Sequence, residues 1–208
     1  LLLFILLFNI NIILEAKNKH KVNKKQNISQ SLEKLKEYLP EIVLNNNEIE
    51  PLSTFLIEAD PNSIFFDEEN KINLINKIND WLGTPYLRGG RSKNGIDCSN
   101  FTSQIINLVL DLKFPSSPVA QTQAKNIEII YNLDDLKFGD LIFFTGRNRN
   151  SNRIGHVGFY LGNGLFAHSS SSKGVIYTHI SEAYYSERYR FGGRLVNNEI
   201  LIIENSKK

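Results

Sequence analysis

The chain has one cysteine, Cys98, and no methionine among its 208 residues. One cysteine excludes an internal disulfide, and with it a disulfide-stapled fold. The absent methionine is read as a start lying upstream, with a basic leader. An excess of either charge is also missing, with 24 Lys and Arg against 22 Asp and Glu. The net charge is +2 and the basic residues are spread out, which is too little to argue for a nucleic-acid partner, and none is expected. The one long apolar run, Leu1 to Leu14, is short of the roughly 20 residues that span a bilayer. There is no internal repeat. Against these absences stand 41% hydrophobic and 11% aromatic residues, enough for one globular core with extensions.

Residues 1–16, LLLFILLFNINIILEA, match the apolar region of a signal peptide. The expectation is an exported chain, periplasmic or cell-wall associated. A retained anchor and a buried core helix stay open, since Leu14 is not the small residue preferred before a cleavage site. The lysines that follow also fit export imperfectly. No cysteine lies near the N-terminus, so no lipoprotein anchor is encoded within this sequence. Residues 17–67 read as a linker or helical extension. Their one predicted helix, 29–39, carries Leu32, Leu35 and Leu39 as a narrow stripe and stops at Pro40. Pro51, Pro61 and Asn62 mark 51–67 as irregular, and 197–208 reads as a tail.

The main domain is expected over 68–196. EENKINLINKINDWLG (68–83) places Ile72, Ile75, Ile78 and Leu82 on one helical face, with Gly83 as the stop. FTSQIINLVL (101–110) forms a second helix burying Phe101, Ile105, Leu108 and Val109. A short helical piece follows within 114–124. Beyond it the period is two: 140–145, 155–162, 164–169, 175–180 and 190–196 read as strands. Helices before strands define an α+β fold, with helices packed on a mostly antiparallel sheet.

Asp97 stands at the N-cap position, which puts Cys98 in the first turn of the second helix. Unpaired N–H groups and the helix dipole there favour a thiolate. Free cysteine is also commonly a packing residue, so this feature alone leaves chemistry and packing level. A thiol nucleophile needs a base and a group that holds the base's tautomer. His20 lies in a basic, solvated stretch. His156 and His168 lie six residues to either side of Gly162, within GHVGFYLGNGLFAHS, where GNG signals a hairpin. A register centred on Gly162 sets His156 opposite His168, Phe159 opposite Leu165 and Val157 opposite Ala167. A tight two-residue turn instead puts the histidines on opposite faces. His179, on the next strand, is an outside candidate for the third position. A metal site of Cys98, His156 and His168 lacks short paired-ligand spacing, so no metal or other cofactor is expected.

Five segments together resemble the NlpC/P60 cysteine peptidases of bacterial cell walls. They are WLGTPYLRGG (81–90), GIDCSNFTSQI (95–105), FGDLIFF (138–144), GHVGFYLGNGLFAHSSSSKGV (155–175) and RFGGRLV (190–196). The resemblance implies a papain-like fold with Cys98 as nucleophile, His156 as base and acid, and His168 as its orienting partner. It implies that Tyr86 reaches the site to hold substrate or the oxyanion, and that Asp97 and Ser99 lie near the bound peptide. The implied substrates are peptidoglycan stem peptides, cut at the D-γ-glutamyl–diamino-acid bond through a thioester. An amidase, transpeptidase or effector toxin on the same fold is an alternative, as is a non-catalytic wall-binding module. Two positions depart from the family: Asn100 replaces its glycine, and Arg88 stands where many members carry an aromatic.

Overall fold

The chain's first 39 residues contain neither glycine nor proline, so nothing in them breaks a helix. In a computed structural model, which describes residues 2–39, 44–45, 48–49, 59–65 and 67–196, helix α1 runs Leu2–Tyr38. It is longer than the helix predicted over 29–39. The lysine- and asparagine-rich stretch before Asn27 continues the helix while exposed to solvent. Within the stretch read as irregular, 51–67, residues 51–58 and Phe66 lie outside the described residues, as does the tail 197–208. Among the described residues no helix is long and apolar enough to cross a membrane.

The last part of α1 is bound to the rest of the molecule. Leu35 and Leu39 are buried in the main core. Asn27 donates to the Lys173 carbonyl at 3.2 Å, Lys34 pairs with Glu182 at 2.6 Å, and Tyr38 stacks on His179 at 4.3 Å. Two short strands, β1 (Leu44–Asn45) and β2 (Glu48–Ile49), pair with each other.

Helix α2 (Glu68–Trp81) starts at Asp67, whose side chain accepts the Asn70 N–H, and stops before Gly83 at φ 71°. It buries Leu74, Ile75, Ile78 and Trp81. A small ribbon, β3 (Arg91–Ser92) with β4 (Gly95–Ile96), leads into α3 (Cys98–Leu110). Helix α3 buries Phe101, Ile105 and Ile106, while Leu108, predicted inside, is 48% exposed. The buried arc is centred one turn earlier than predicted, because α3 meets the sheet mainly at its N-terminal half. A short α4 (Pro118–Gln121) follows.

The strands are β5 (Ile127–Ile130), β6 (Leu141–Thr145), β7 (Ile154–Gly162), β8 (Leu165–Ser170), β9 (Gly174–His179) and β10 (Tyr189–Leu195). They form one antiparallel sheet in the order β5-β10-β6-β7-β8-β9. A one-turn helix, α5 (Ala183–Ser186), precedes β10. One sheet face, with Val157, Phe159, Leu165 and Ala167, packs on α1, α2 and α3. Phe101 alone, fully buried there, contributes about 2–3 kcal/mol by area. The other face, with Ile142, Phe144, Tyr160 and Phe166, packs under Ile180 and Tyr185.

The GGRLV end of β10 carries the principal buried ion cluster. Arg194 donates through Nε and Nη2 to the two oxygens of fully buried Asp140, at 2.9 and 2.8 Å. It donates through Nη1 to Asp60 at 2.6 Å and through Nη2 to the Asp135 carbonyl at 3.0 Å. Two parallel N–H···O bonds fix this geometry, tying the segment before β6 to β10.

Candidate active site

The β7–β8 hairpin differs from the predicted register and still places both histidines on one face. Asn163 and Gly164, at φ 48° and 76°, make a two-residue turn that pairs Gly162 with Leu165. That turn alone would separate the histidines. The register shifts between Tyr160 and Gly162, so that Leu161 is an extra residue and Phe159 opposes Ala167. The bulge restores parity, and the position facing His168 becomes Gly158 instead of His156. The histidines are therefore diagonal neighbours, within reach for ring side chains.

Gly158 makes that diagonal passable. A Cβ there would stand 2.5 Å from the Ala167 carbonyl oxygen and 3.0 Å from His168 Cβ. With that space empty, His156 Nε2 reaches His168 Nδ1 at 2.8 Å, the rings 4.9 Å apart and perpendicular. His168 is fully buried. It stacks on Phe166 at 4.8 Å, meets the edge of Tyr185 at 5.1 Å, and bonds Thr178 Oγ1 through Nε2 at 3.1 Å. Thr178 and Tyr185 were not singled out from the sequence. The only signal for Thr178 was the alternation in VIYTHI, which sets Ile176, Thr178 and Ile180 on one face.

Cys98 opens α3 as predicted, with Asp97 as N-cap. The backbone N–H groups of Val157, Ser99 and Cys98 itself act to favour its ionised form, and α3 packs on β7, the strand that carries His156. Burial, and then the Asp97 carboxylate, nevertheless push the thiol up to about 11, while those N–H groups pull the other way. The thiolate predicted from the helix start is thus not the resting form. At 6% exposure the sulfur has lost most of its water, and desolvation outweighs the dipole. Burial likewise pushes His156 down to about 4 and His168 well below the ordinary imidazole value. Near neutral pH the site holds a neutral thiol and two neutral imidazoles.

Asp97 is the hub of the helix start. Its carboxylate accepts from the Asn100 N–H (2.8 Å), the Asn100 side-chain amide (3.0 Å), the Ser99 hydroxyl (3.1 Å) and the Gly89 N–H (2.8 Å). Asn100, which departs from the family, therefore turns its side chain onto the cap. Ser99 is buried, and its hydroxyl also donates to the Ser116 carbonyl at 2.9 Å. Its effect on the Cys98 thiol comes through its backbone N–H, which favours the ionised form.

Tyr86 is half-buried and bridges to Ile96 in parallel. Its loop is held by Ser169 Oγ donating to the Ile96 carbonyl and by Val175 N–H donating to the Thr84 carbonyl. Burial, then the charges of Cys98 and Asp97, raise the Tyr86 phenol, and Arg88 and Arg147 oppose them. The bridge sets Tyr86 beside the strand that leads into Cys98, with the exposed Arg88 and Arg147 opposing the shift. His179, the outside candidate, bonds Ser181 and the Asn163 carbonyl at the hairpin end of the sheet. Among the described residues no group of three or more His, Cys, Asp or Glu side chains is placed to hold a metal ion.

A helix-start cysteine laid against an antiparallel sheet that carries a histidine pair defines the papain-like α+β class. Within it the chain belongs to the NlpC/P60 family, whose pattern matches residues 83–194. The chain is 35% identical over 123 residues to a probable endopeptidase NlpC homolog of Haemophilus influenzae, covering 59% of this chain and 62% of that one. It is 34% identical over 132 residues to an Escherichia coli protein named murein DD-endopeptidase MepS/murein LD-carboxypeptidase, covering 61% and 64%. It spans less than two thirds of these relatives. The crystal structure of an NlpC/P60 family protein from Bacillus cereus superposes with a TM-score of 0.54 at 29% identity, over 61% of this chain and 40% of that one. A Staphylococcus aureus protein described as similar to a lipoprotein of the family shares the fold, with a TM-score of 0.58 at 23% identity over 71% and 48%.

Proposed function

We propose that the chain is a cysteine endopeptidase of the bacterial cell wall, acting in the periplasm or at the wall on peptidoglycan stem peptides. The observation that carries this reading is Cys98 at the start of a helix packed on β7, the strand whose His156 is bonded to His168. Relatives named murein endopeptidases support the substrate class.

With Nε2 engaged by His168, Nδ1 of His156 is the nitrogen available to the thiol. Because thiol and imidazole are both neutral at rest, the proton passes from Sγ to Nδ1 as sulfur attacks the peptide carbonyl. The tetrahedral oxyanion forms among N–H groups at the helix start, with Tyr86 as a further donor. His156 then gives its proton to the departing amine, leaving a thioester. Water adds to the thioester, losing its proton to His156, and the sulfur leaves as thiol with the acid product.

The D-γ-glutamyl–diamino-acid bond is the first candidate for cleavage. The name of the E. coli relative, a murein DD-endopeptidase, points to a second, a DD bond of murein. Purified muropeptides incubated with the full chain and analysed by mass spectrometry decide between them. Cys98→Ala is expected to lower turnover roughly 10³-fold or more. Undiminished cleavage by that variant, or no peptide bond cut by the wild type, overturns the proposal.

A further inference from the structure

The histidine pair ends on a hydroxyl that the reaction as described does not use. His168 is enclosed by Phe166, Tyr185 and His156, and among the described residues its Nε2 is bonded to Thr178 Oγ1, at 3.1 Å. Thr178 is itself 1% exposed, so water does not substitute for it freely. It stands on β9 opposite Phe166, one strand pair beyond the histidines.

The two imidazole–partner bonds constrain each other. A neutral imidazole has one N–H and one bare nitrogen. For His156 to take the thiol proton at Nδ1, that nitrogen must be bare, so its proton lies on Nε2 and is donated to His168 Nδ1. His168 Nδ1 is then an acceptor, and the His168 proton lies on Nε2. That N–H is buried and needs an acceptor, and Thr178 Oγ1 is the oxygen in reach. Reversing the Thr178 bond reverses the chain. If Thr178 donated to Nε2, His168 would carry its proton on Nδ1 and direct it at His156 Nε2. His156 would then be protonated on Nδ1, where it cannot accept from sulfur.

We propose that Thr178 is a positioning residue: by accepting from His168 Nε2 it selects the tautomers of His168 and His156 together and leaves His156 Nδ1 bare toward Cys98. This rests on the reading of Cys98 and His156 as nucleophile and base, but its first test does not.

Nitrogen-15 NMR of the imidazoles in the full wild-type chain is expected to show both His156 and His168 neutral and protonated on Nε2. A His168 protonated on Nδ1 overturns the proposal, whatever the chain hydrolyses. The second test is Thr178→Val, which keeps shape and removes the oxygen, with Thr178→Ser, which keeps the oxygen. On muropeptides, Thr178→Val is expected to lower kcat roughly 10- to 100-fold with KM unchanged, and to shift the His168 nitrogen pattern. Thr178→Ser is expected to keep both near wild type. A folded Thr178→Val with wild-type kcat and an unchanged nitrogen pattern overturns the assignment. If Thr178→Val does not fold, Thr178→Ser and the wild-type spectrum still decide it: a serine variant that loses the Nε2–H pattern counts against it. A wild type inactive on every peptide, but with the expected tautomers, defeats the proposed function and leaves the Thr178 assignment standing.

Discussion

Replacing Asp97 by asparagine is expected to make Cys98 easier to ionise, although it weakens the cap of the helix that carries it. The thiol stands at about 11 instead of 9.0, with burial the first cause and the Asp97 charge the second. Two units are ~2.7 kcal/mol against the thiolate, which leaves about one sulfur in 10⁴ ionised near neutral pH. The Asp97→Asn amide keeps an oxygen for the Asn100 N–H and the Ser99 hydroxyl, so the helix start survives. Removing a like charge at this range lowers the midpoint by about one unit. The assay is the rate of iodoacetamide labelling against pH, read by intact mass, with a single thiol in the chain to label. The sign carries over to stability. A folded value above the unfolded one contributes stability that is complete below the unfolded value and lost as pH rises through 9 toward 11. The wild type therefore loses stability across that window, and Asp97→Asn loses less. A wild-type labelling midpoint at or below 9, or no fall in the variant, refutes the claim that burial and Asp97 hold Cys98 neutral.

Gly158→Ala is expected to cost about 1–3 kcal/mol by overpacking and to separate the histidines, because its Cβ meets the Ala167 carbonyl oxygen and His168. A variant with wild-type urea midpoint and unchanged imidazole spectra would contradict that. Arg194→Ala leaves buried Asp140 without its two charged hydrogen bonds and is expected to cost about 3–5 kcal/mol in urea unfolding; a loss under about 1 kcal/mol would show the cluster to be dispensable. His156 and His168 are held neutral in the fold, with His156 at about 4. Their contribution is present above the ordinary histidine value of about 6.5 and is lost as pH falls toward 4, by up to about 3 kcal/mol for His156. A urea midpoint that does not fall between those values would argue against their burial.

Much of this was legible because it is local. Asp97 as N-cap, Gly83 as a helix stop and the period-two strands from 140 onward follow from the chemistry of a few adjacent residues. The same holds for the placement of Cys98 in a first turn, and the motifs around it pointed to the family. The extent of α1 was not, because its lysine-rich part has no apolar stripe to betray a helix. What the sequence by itself determined was the inventory: one thiol at a helix start, two histidines flanking a turn, and a fold class of helices then strands. Tertiary structure alone decided how these combine. A bulge of one residue put the histidines on one face after the turn had set them apart, since a one-residue change of register inverts every side chain. Burial turned the expected thiolate into a neutral thiol, since desolvation depends on what the rest of the chain brings over the sulfur. And Thr178, unremarkable in its strand, became the end of the histidine chain because β9 pairs with β8 in the register that lays it beside His168.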